Sequence, residues 1–328
     1  MIPRKKASRV SPCKPIMTDM KRFAPATKWQ NLRPQTNFTQ TAKLSANSFF
    51  CCHTEKETLL TRKGFIMSRF GDVSMKTRSY DEVIGERRMM LKSLGDEHNT
   101  WESHQRKGIS PPPLEKPCPE DGILVELIRQ DDTSLGGISL VKAIRQRESR
   151  RKYTSEALNL EELSFLLWAT QGLKSIDKNK VWTRRTVPSA GARHPFETYL
   201  IVNRVDGVEP GVYRYLPIEH KLLLVNNSRP LPEQASEACW GQDFVGKAAV
   251  VFVWVAVPYR AEWRYSTVAY KGILVDVGHV CQNLYLACEA IGAGTCAVLA
   301  YEQERMDALI GVDGENEFTV YLAPLGKN

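Results

Sequence analysis

The sequence predicts an α+β fold, and three observations carry that expectation. Helical periods and β-rich runs are mixed along the chain without the strict alternation that a doubly wound parallel sheet requires. Residues 248–257 form an almost wholly apolar run rich in valine, the pattern of a central strand buried on both faces. Residues 268–291 keep one helical period, with Ile273, Val277, Val280, Leu284, Ala287 and Ile291 along a single stripe.

The elements follow in chain order. Residues 80–106 carry helix-like charge patterning, with Val83, Ile84, Met89, Met90 and Leu94 as apolar points. Residues 108–119 read Gly-Ile-Ser-Pro-Pro-Pro-Leu-Glu-Lys-Pro-Cys-Pro. This is a stiff extended connector, because successive prolines fix φ and offer no N–H to a helix or a central strand. It can lie along a partner subunit or simply link two parts. The folded body begins near Leu124. Ser139 is suited to cap a short helix, Leu140 to Arg147. Asn159, with Glu162 three residues on, makes a capping box for a helix with Leu163, Leu166, Leu167 and Thr170 on one face and Gly172 as its stop. Strands are expected at Thr198 to Val202, Val212 to Tyr215 and Lys221 to Val225, the last two pairing across their turn. After the central strand and the long helix, which Gly292 ends, Cys296 to Ala300 reads as a short strand. Glu302 to Leu309 reads as a helix and Phe318 to Ala323 as a last strand. No internal repeat is visible.

The totals exclude several classes. A chain of 328 residues with 42% hydrophobic and 25% charged residues has the composition of a globular protein that buries a sizeable core. No apolar run reaches the length of a membrane span. The formal charge of +8 is unevenly placed: residues 1–66 hold 13 Lys and Arg against 3 Asp and Glu, while the remainder holds 32 against 34. The basic character therefore belongs to the leader. A partner made of nucleic acid, or a membrane surface, is not expected for the folded body. Residues 1–66 read as a disordered or transit-like leader or as an upstream translation artefact, with Met67 an alternative start. Residues 67–123 form a helical segment and connector, and residues 124–328 the main domain. Eight scattered cysteines without a C-x-x-C pair suit a reduced, cytoplasmic interior, and six scattered histidines show no metal-ligand spacing.

Two segments carry candidate chemistry. Residues 147–153 read Arg-Glu-Ser-Arg-Arg-Lys-Tyr. If the segment is extended, Arg147, Ser149 and Arg151 project to one side and could converge on a phosphate, since guanidinium groups give paired N–H donors and the hydroxyl adds a short bond. The same residues could equally be a solvated basic helix end. Residues 188–195 read Pro-Ser-Ala-Gly-Ala-Arg-His-Pro. Small residues at Pro188, Ser189, Ala190 and Gly191 let a main chain approach a flat ring, and Gly191 permits positive φ; a plain connecting loop fits too. Arg193 and His194 face a ligand or cap that loop, with a structural hydrogen bond the simpler role for His194. The Gly292 to Ala297 stretch fits G-x-G-x-x-A, but it follows a helix, so it is no dinucleotide fingerprint. Asp276, His279, Gln282 and Asn283 are polar residues on the long helix, expected as interface or buried hydrogen-bonding groups.

Together with Leu-Glu-Glu-Leu-Ser-Phe-Leu-Leu-Trp-Ala-Thr-Gln-Gly, Asp-Val-Gly-His-Val-Cys-Gln-Asn-Leu, Gly-Ala-Gly-Thr-Cys and the C-terminal Pro-Leu-Gly, these motifs in this order resemble the nitroreductase superfamily. The closer resemblance is to its SagB-type, thiazole- and oxazole-forming oxidase branch, over residues 138–327. The resemblance implies a central, mostly antiparallel sheet flanked by helices, a homodimer with the long helix in its core, and FMN at the subunit interface. It puts Arg147, Ser149 and Arg151 at the FMN phosphate, with Lys327 as a further cation. It puts Pro188 to Gly191, with Arg193, and Gly294 and Thr295 near the flavin ring. It implies an FMN-dependent oxidoreductase acting on a small organic or peptide-derived substrate, with NAD(P)H as a reductant. The branch implies an azoline-to-azole dehydrogenase beside a cyclodehydratase partner, or a non-catalytic flavin-binding scaffold subunit. In that branch a Lys-Tyr pair assists proton removal. Here the candidates, Tyr270 and Lys271, stand in the reverse order, and adjacent helical residues point about 100° apart.

Overall fold

The computed structural model describes residues 102–228 and 230–328. The expectations for residues 1–66, for Met67, and for helix-like patterning over residues 80–101 lie outside the described residues. Residues 104–108 form a turn rather than the end of a helix.

The strands are β1 (Leu124–Glu126), β2 (Leu173–Ile176), β3 (Thr183–Arg185), β4 (Phe196–Val202), β5 (Gly211–Leu216), β6 (Lys221–Asn226), β7 (Val250–Ala256), β8 (Ala293–Thr295) and β9 (Phe318–Lys327). Seven of them form one sheet in the order β1-β6-β5-β4-β7-β9-β8, and every pairing in it is antiparallel. β2 and β3 make a separate hairpin. The helices are α1 (Leu140–Gln146), α2 (Leu160–Gln171), α3 (Leu231–Ala238), α4 (Asp243–Gly246), α5 (Tyr259–Tyr265), α6 (Ala269–Ala290) and α7 (Gln303–Ile310). The expected α+β class holds, as does the mostly antiparallel sheet with helices on its flanks.

The valine-rich run behaves as its pattern requires. Successive strand residues point to opposite faces. Phe252 and Trp254 of β7 enter the core shared with α2 and α6, while Val251, Val253 and Val255 enter the core shared with α3 and α7. Along α6 the predicted stripe of Ile273, Val277, Val280, Leu284 and Ala287 is buried against the first of these cores. Asn283 ties the two helices on that face by donating to the Ala169 carbonyl at 2.8 Å. The α2 capping box is present in both directions. Gly172 follows that helix with φ −55°, so crowding rather than handedness selects it: a Cβ there would lie 2.5 Å from the Trp168 backbone oxygen.

The expected strand over residues 296–300 is displaced. The strand lies just before it, at Ala293–Thr295, because β9 runs on past Ala323 and pairs Lys327 with Ala293 and Leu325 with Thr295. Pro324 lies just past the strand expected at residues 318–323. It sits inside β9, and its carbonyl accepts from the Tyr153 hydroxyl at 3.0 Å and the Thr295 hydroxyl at 2.9 Å. The short β1, the β2–β3 hairpin and helices α3, α4 and α5 had no clear pattern in the sequence.

The proline-rich segment is a strap fastened to the body. Its carbonyls have no ladder to join, and guanidinium groups from three elements supply the donors. Arg260 of α5 donates to Pro113 at 3.1 Å, Arg185 of β3 to Leu114 at 3.4 Å, and Arg214 of β5 to Pro117 at 2.8 Å. The Trp263 indole adds a bond to Ile109 at 2.8 Å. Beneath the strap, Arg260 pairs with Glu197 of β4, and both side chains are buried.

Candidate functional site

Two corners of the molecule gather the candidate residues, and α6 anchors both. The first is cationic. After Gln146 the chain leaves α1 and runs beside the end of β8, where Ser149 bridges Thr295 and the Arg150 amide donates to the Thr295 carbonyl at 3.0 Å. Tyr285 of α6 lies beneath this segment. Its hydroxyl is 2.9 Å from the Ser149 Oγ and also 2.9 Å from the Ala297 amide. The Arg147 guanidinium lies 5.3 Å above its ring. Arg151 lies over the Phe244 ring at 5.8 Å and lines, with Cys296 and Ala297, a cavity of about 290 Å³.

Charge compensation differs sharply along this segment. Arg150 is closed off by Glu289 at 2.5 Å and Glu148 at 3.2 Å. Arg147 and Arg151 rest on aromatic rings, with no carboxylate partner among the described residues. Lys327 is committed elsewhere: its ammonium pairs with Glu162 and donates to the Ile291 carbonyl at 3.0 Å. Glu162 thereby joins the N-terminus of α2 to the end of β9 while serving its capping box.

The second corner is the small-residue loop. Pro188 and Ala190 are exposed, and Ser189 and Gly191 are half-buried. Asp276 of α6, itself buried, accepts the Ser189 hydroxyl at 2.6 Å and the Ala190 amide at 3.0 Å. Burial raises its carboxyl above the ordinary range, and the bonds from Ser189 and Ala190 oppose that shift. Gly191 has φ +60°, and a side chain there would collide with the Tyr265 hydroxyl, so both the handedness and the space demand glycine. Gly272 of α6 faces this loop, 3.6 Å from the Ala190 Cβ where a Cβ would stand. Tyr270 and Lys271 precede Gly272 on the first turn of α6. Tyr270 is exposed, and Glu262 raises its phenol above the ordinary value.

Of the two roles open to Arg193 in the sequence, facing a ligand or capping the loop, its geometry is that of the second. It is 2% exposed and faces the interior, where it donates to the Arg260 carbonyl at 2.6 Å and to that of Val181 and lies 4.8 Å over the Trp263 ring. It holds the loop from behind. Gly294 and Thr295 are buried in β8. A Cβ at Gly294 would lie 2.8 Å from the Arg150 Cβ, and the Thr295 hydroxyl is used by Pro324. Their role here is to let the cationic segment pass close to β8.

His194 has the structural part that its sequence context suggested. Its ring bonds to the Thr183 carbonyl at 3.1 Å, and burial, then the nearby Arg185 charge, pushes its pKa from 6.5 down to about 3. The unfolded chain takes up a proton below 6.5 that the folded chain refuses. The stabilising contribution is therefore complete above pH 6.5 and is lost as pH falls toward 3. His194 sits at φ +45°, which asparagine tolerates. The thermal midpoint of the parent is expected to fall more steeply below pH 6.5 than that of His194→Asn. Parallel profiles would contradict this assignment.

Among the described residues no group of His, Cys, Asp and Glu is placed to hold a metal ion, and no helix is long and apolar enough to cross a membrane. Tyr285 escaped the sequence reading because it looks like one more apolar point on α6. Asp276 was legible as an interface or buried hydrogen-bonding residue, and its partners Ser189 and Ala190 were not.

Comparison with known proteins gives a consistent family. Residues 144–327 match the family model described as the nitroreductase family. MJ1384 of Methanocaldococcus jannaschii, named for nitroreductase activity, is 33% identical over 190 residues, covering 58% of this chain and 91% of that protein. A solved nitroreductase-like structure from Ralstonia eutropha superposes with a TM-score of 0.52 at 25% identity, covering 66% of this chain and 97% of the other. The trifolitoxin-processing protein TfxB of Rhizobium leguminosarum bv. trifolii is 27% identical over 135 residues. That match covers 40% of this chain and spans only 36% of TfxB.

Proposed function

Because this chain belongs to the nitroreductase family of oxidoreductases, we propose that it is an FMN-dependent oxidoreductase that works as a homodimer on a small organic or peptide-derived substrate. One observation carries the reading: an uncompensated cationic corner and a glycine-bearing surface loop are both fixed by α6, through Tyr285 and Asp276. These two anchors are nine positions apart on the helix, about 14 Å along the axis, a span suited to an extended mononucleotide.

The residues present fit that group. Among the described residues Arg147 and Arg151 keep their charge free of carboxylates, as a phosphate site requires, whereas Arg150 and Lys327 do not. Ser149 adds a hydroxyl. The loop from Pro188 to Gly191 offers backbone with little side chain in the way, braced by Asp276 and by the buried Arg193. FMN would supply the hydride-accepting and hydride-donating chemistry, with NAD(P)H as a reductant. Lys271 and Tyr270, on the same helix turn as the loop-facing Gly272, would meet a substrate and handle its proton. The homodimer is argued from an apolar surface: Leu140, Val141 and Ile144 of α1 are 64%, 59% and 56% exposed, and Leu274 of the adjoining α6 is 63% exposed. Large apolar side chains left this exposed on two contacting helices suit an interaction surface.

The similarity to a trifolitoxin-processing protein favours a second reading, in which the substrate is a peptide azoline and a cyclodehydratase is the partner. Anaerobic mixing separates the readings. NAD(P)H is expected to bleach the absorbance of the FMN-loaded protein under the first reading, and an azoline-bearing peptide under the second. Unchanged absorbance with both would contradict redox function and leave a flavin-binding scaffold.

A further inference from the structure

We propose that Tyr285 is a positioning residue which fixes Ser149 as an outward-facing hydrogen-bond donor to a phosphate group. The inference rests on reading the cationic corner as the FMN phosphate site, and it adds how that corner is organised.

Valence fixes the direction of the first bond, and the direction of the second is assigned from it. The Ala297 amide has one hydrogen and can only donate, so across 2.9 Å the Tyr285 oxygen must accept. The phenol keeps one hydrogen of its own. The Ser149 Oγ, also 2.9 Å away, is the acceptor in reach for it. With its oxygen already receiving that bond, Ser149 is left with its own hydrogen directed elsewhere, and this residue is exposed. The chain of donors thus runs from the fixed backbone of Ala297 through Tyr285 to Ser149 and out to an anion. Each bond polarises the next, which strengthens the terminal donor.

The same side chain sets the neighbouring charge. Arg147 stands 5.3 Å over the Tyr285 ring, an arrangement that orients a guanidinium without neutralising it. Tyr285 lies between the fully buried Leu284 and the buried Ala287 and Cys288 on a 22-residue helix, so its position is not free to drift. One tyrosine therefore orders two of the three groups assigned to the phosphate.

The test compares two flavins by fluorescence titration of the full-length protein. Tyr285→Phe keeps the ring and removes the hydroxyl. FMN affinity is expected to fall about five- to tenfold, the size of one lost hydrogen bond, while affinity for riboflavin, which has no phosphate, stays at the parent value. Ser149→Ala should weaken FMN binding as well, and adding Tyr285→Phe to it should cost little more, because both act on one donor. Equal losses for FMN and riboflavin would make Tyr285 a general structural residue and overturn the proposal. Additive losses in the double variant would overturn it too. A parent that binds neither flavin would sink the flavin reading itself, whereas a parent that binds FMN as tightly as Tyr285→Phe does would sink only this inference.

Discussion

Arg147→Ala and Arg151→Ala should each weaken FMN binding by roughly ten- to a hundredfold, the loss of one charge-assisted contact of about 1.5–3 kcal/mol. The reason lies in what these arginines do not touch. Each rests on an aromatic ring, Tyr285 or Phe244, and brings its full charge to the surface. Arg150, between them in sequence, is paired with Glu289 and Glu148 and makes the natural control. Arg150→Ala should disturb stability more than flavin affinity. Rising salt should weaken the parent more than an Arg147→Ala/Arg151→Ala double variant, since screening acts on exposed charge. Equilibrium titration with FMN checks all of this. Affinities for both single variants within twofold of the parent would remove the phosphate assignment.

The second large effect concerns stability. Arg260→Ala should cost about 3–5 kcal/mol, because it leaves the Glu197 carboxylate buried without its cation. Glu197 is 2% exposed and Arg260 is 3% exposed, so water cannot compensate. The variant also loses the donor that Arg260 gives to the Pro113 carbonyl at 3.1 Å. Residues 109–117 should then become a preferred site of proteolysis. Removing both charges, as Arg260→Met with Glu197→Leu, should recover part of the loss, because an apolar pair needs no desolvation. Urea denaturation measures the difference, and a loss below about 1 kcal/mol for Arg260→Ala would contradict a dry, interdependent pair.

What was legible in the sequence follows from how local each signal is. The α2 capping box needs only Asn159 and Glu162, and the central strand needs only its own run of valines. Both are local, and both stand where they were expected. β8 is not local: its position is set by β9, which the sequence reading ends too early at Ala323. The strap was legible as stiff, but its fastening depends on arginines from three elements far away in sequence. The same holds at the candidate site. Arg147, Ser149 and Arg151 stand out in the sequence by type and spacing, and only the family resemblance implies a phosphate for them. Arg193 shares their chemistry yet points inward, because Trp263 and the carbonyls of Arg260 and Val181 form a niche that no sequence window contains. Lys327 is drawn away in the same manner by Glu162.

Flavin occupancy is the decisive experiment. The full-length protein is incubated with FMN, desalted, and denatured so that released flavin can be quantified against protein. Stoichiometric FMN, carried through desalting by the parent and lost from the Arg147→Ala/Arg151→Ala double variant, is the expected result. Protein that emerges colourless after reconstitution, or a double variant that holds FMN as firmly as the parent, would contradict it.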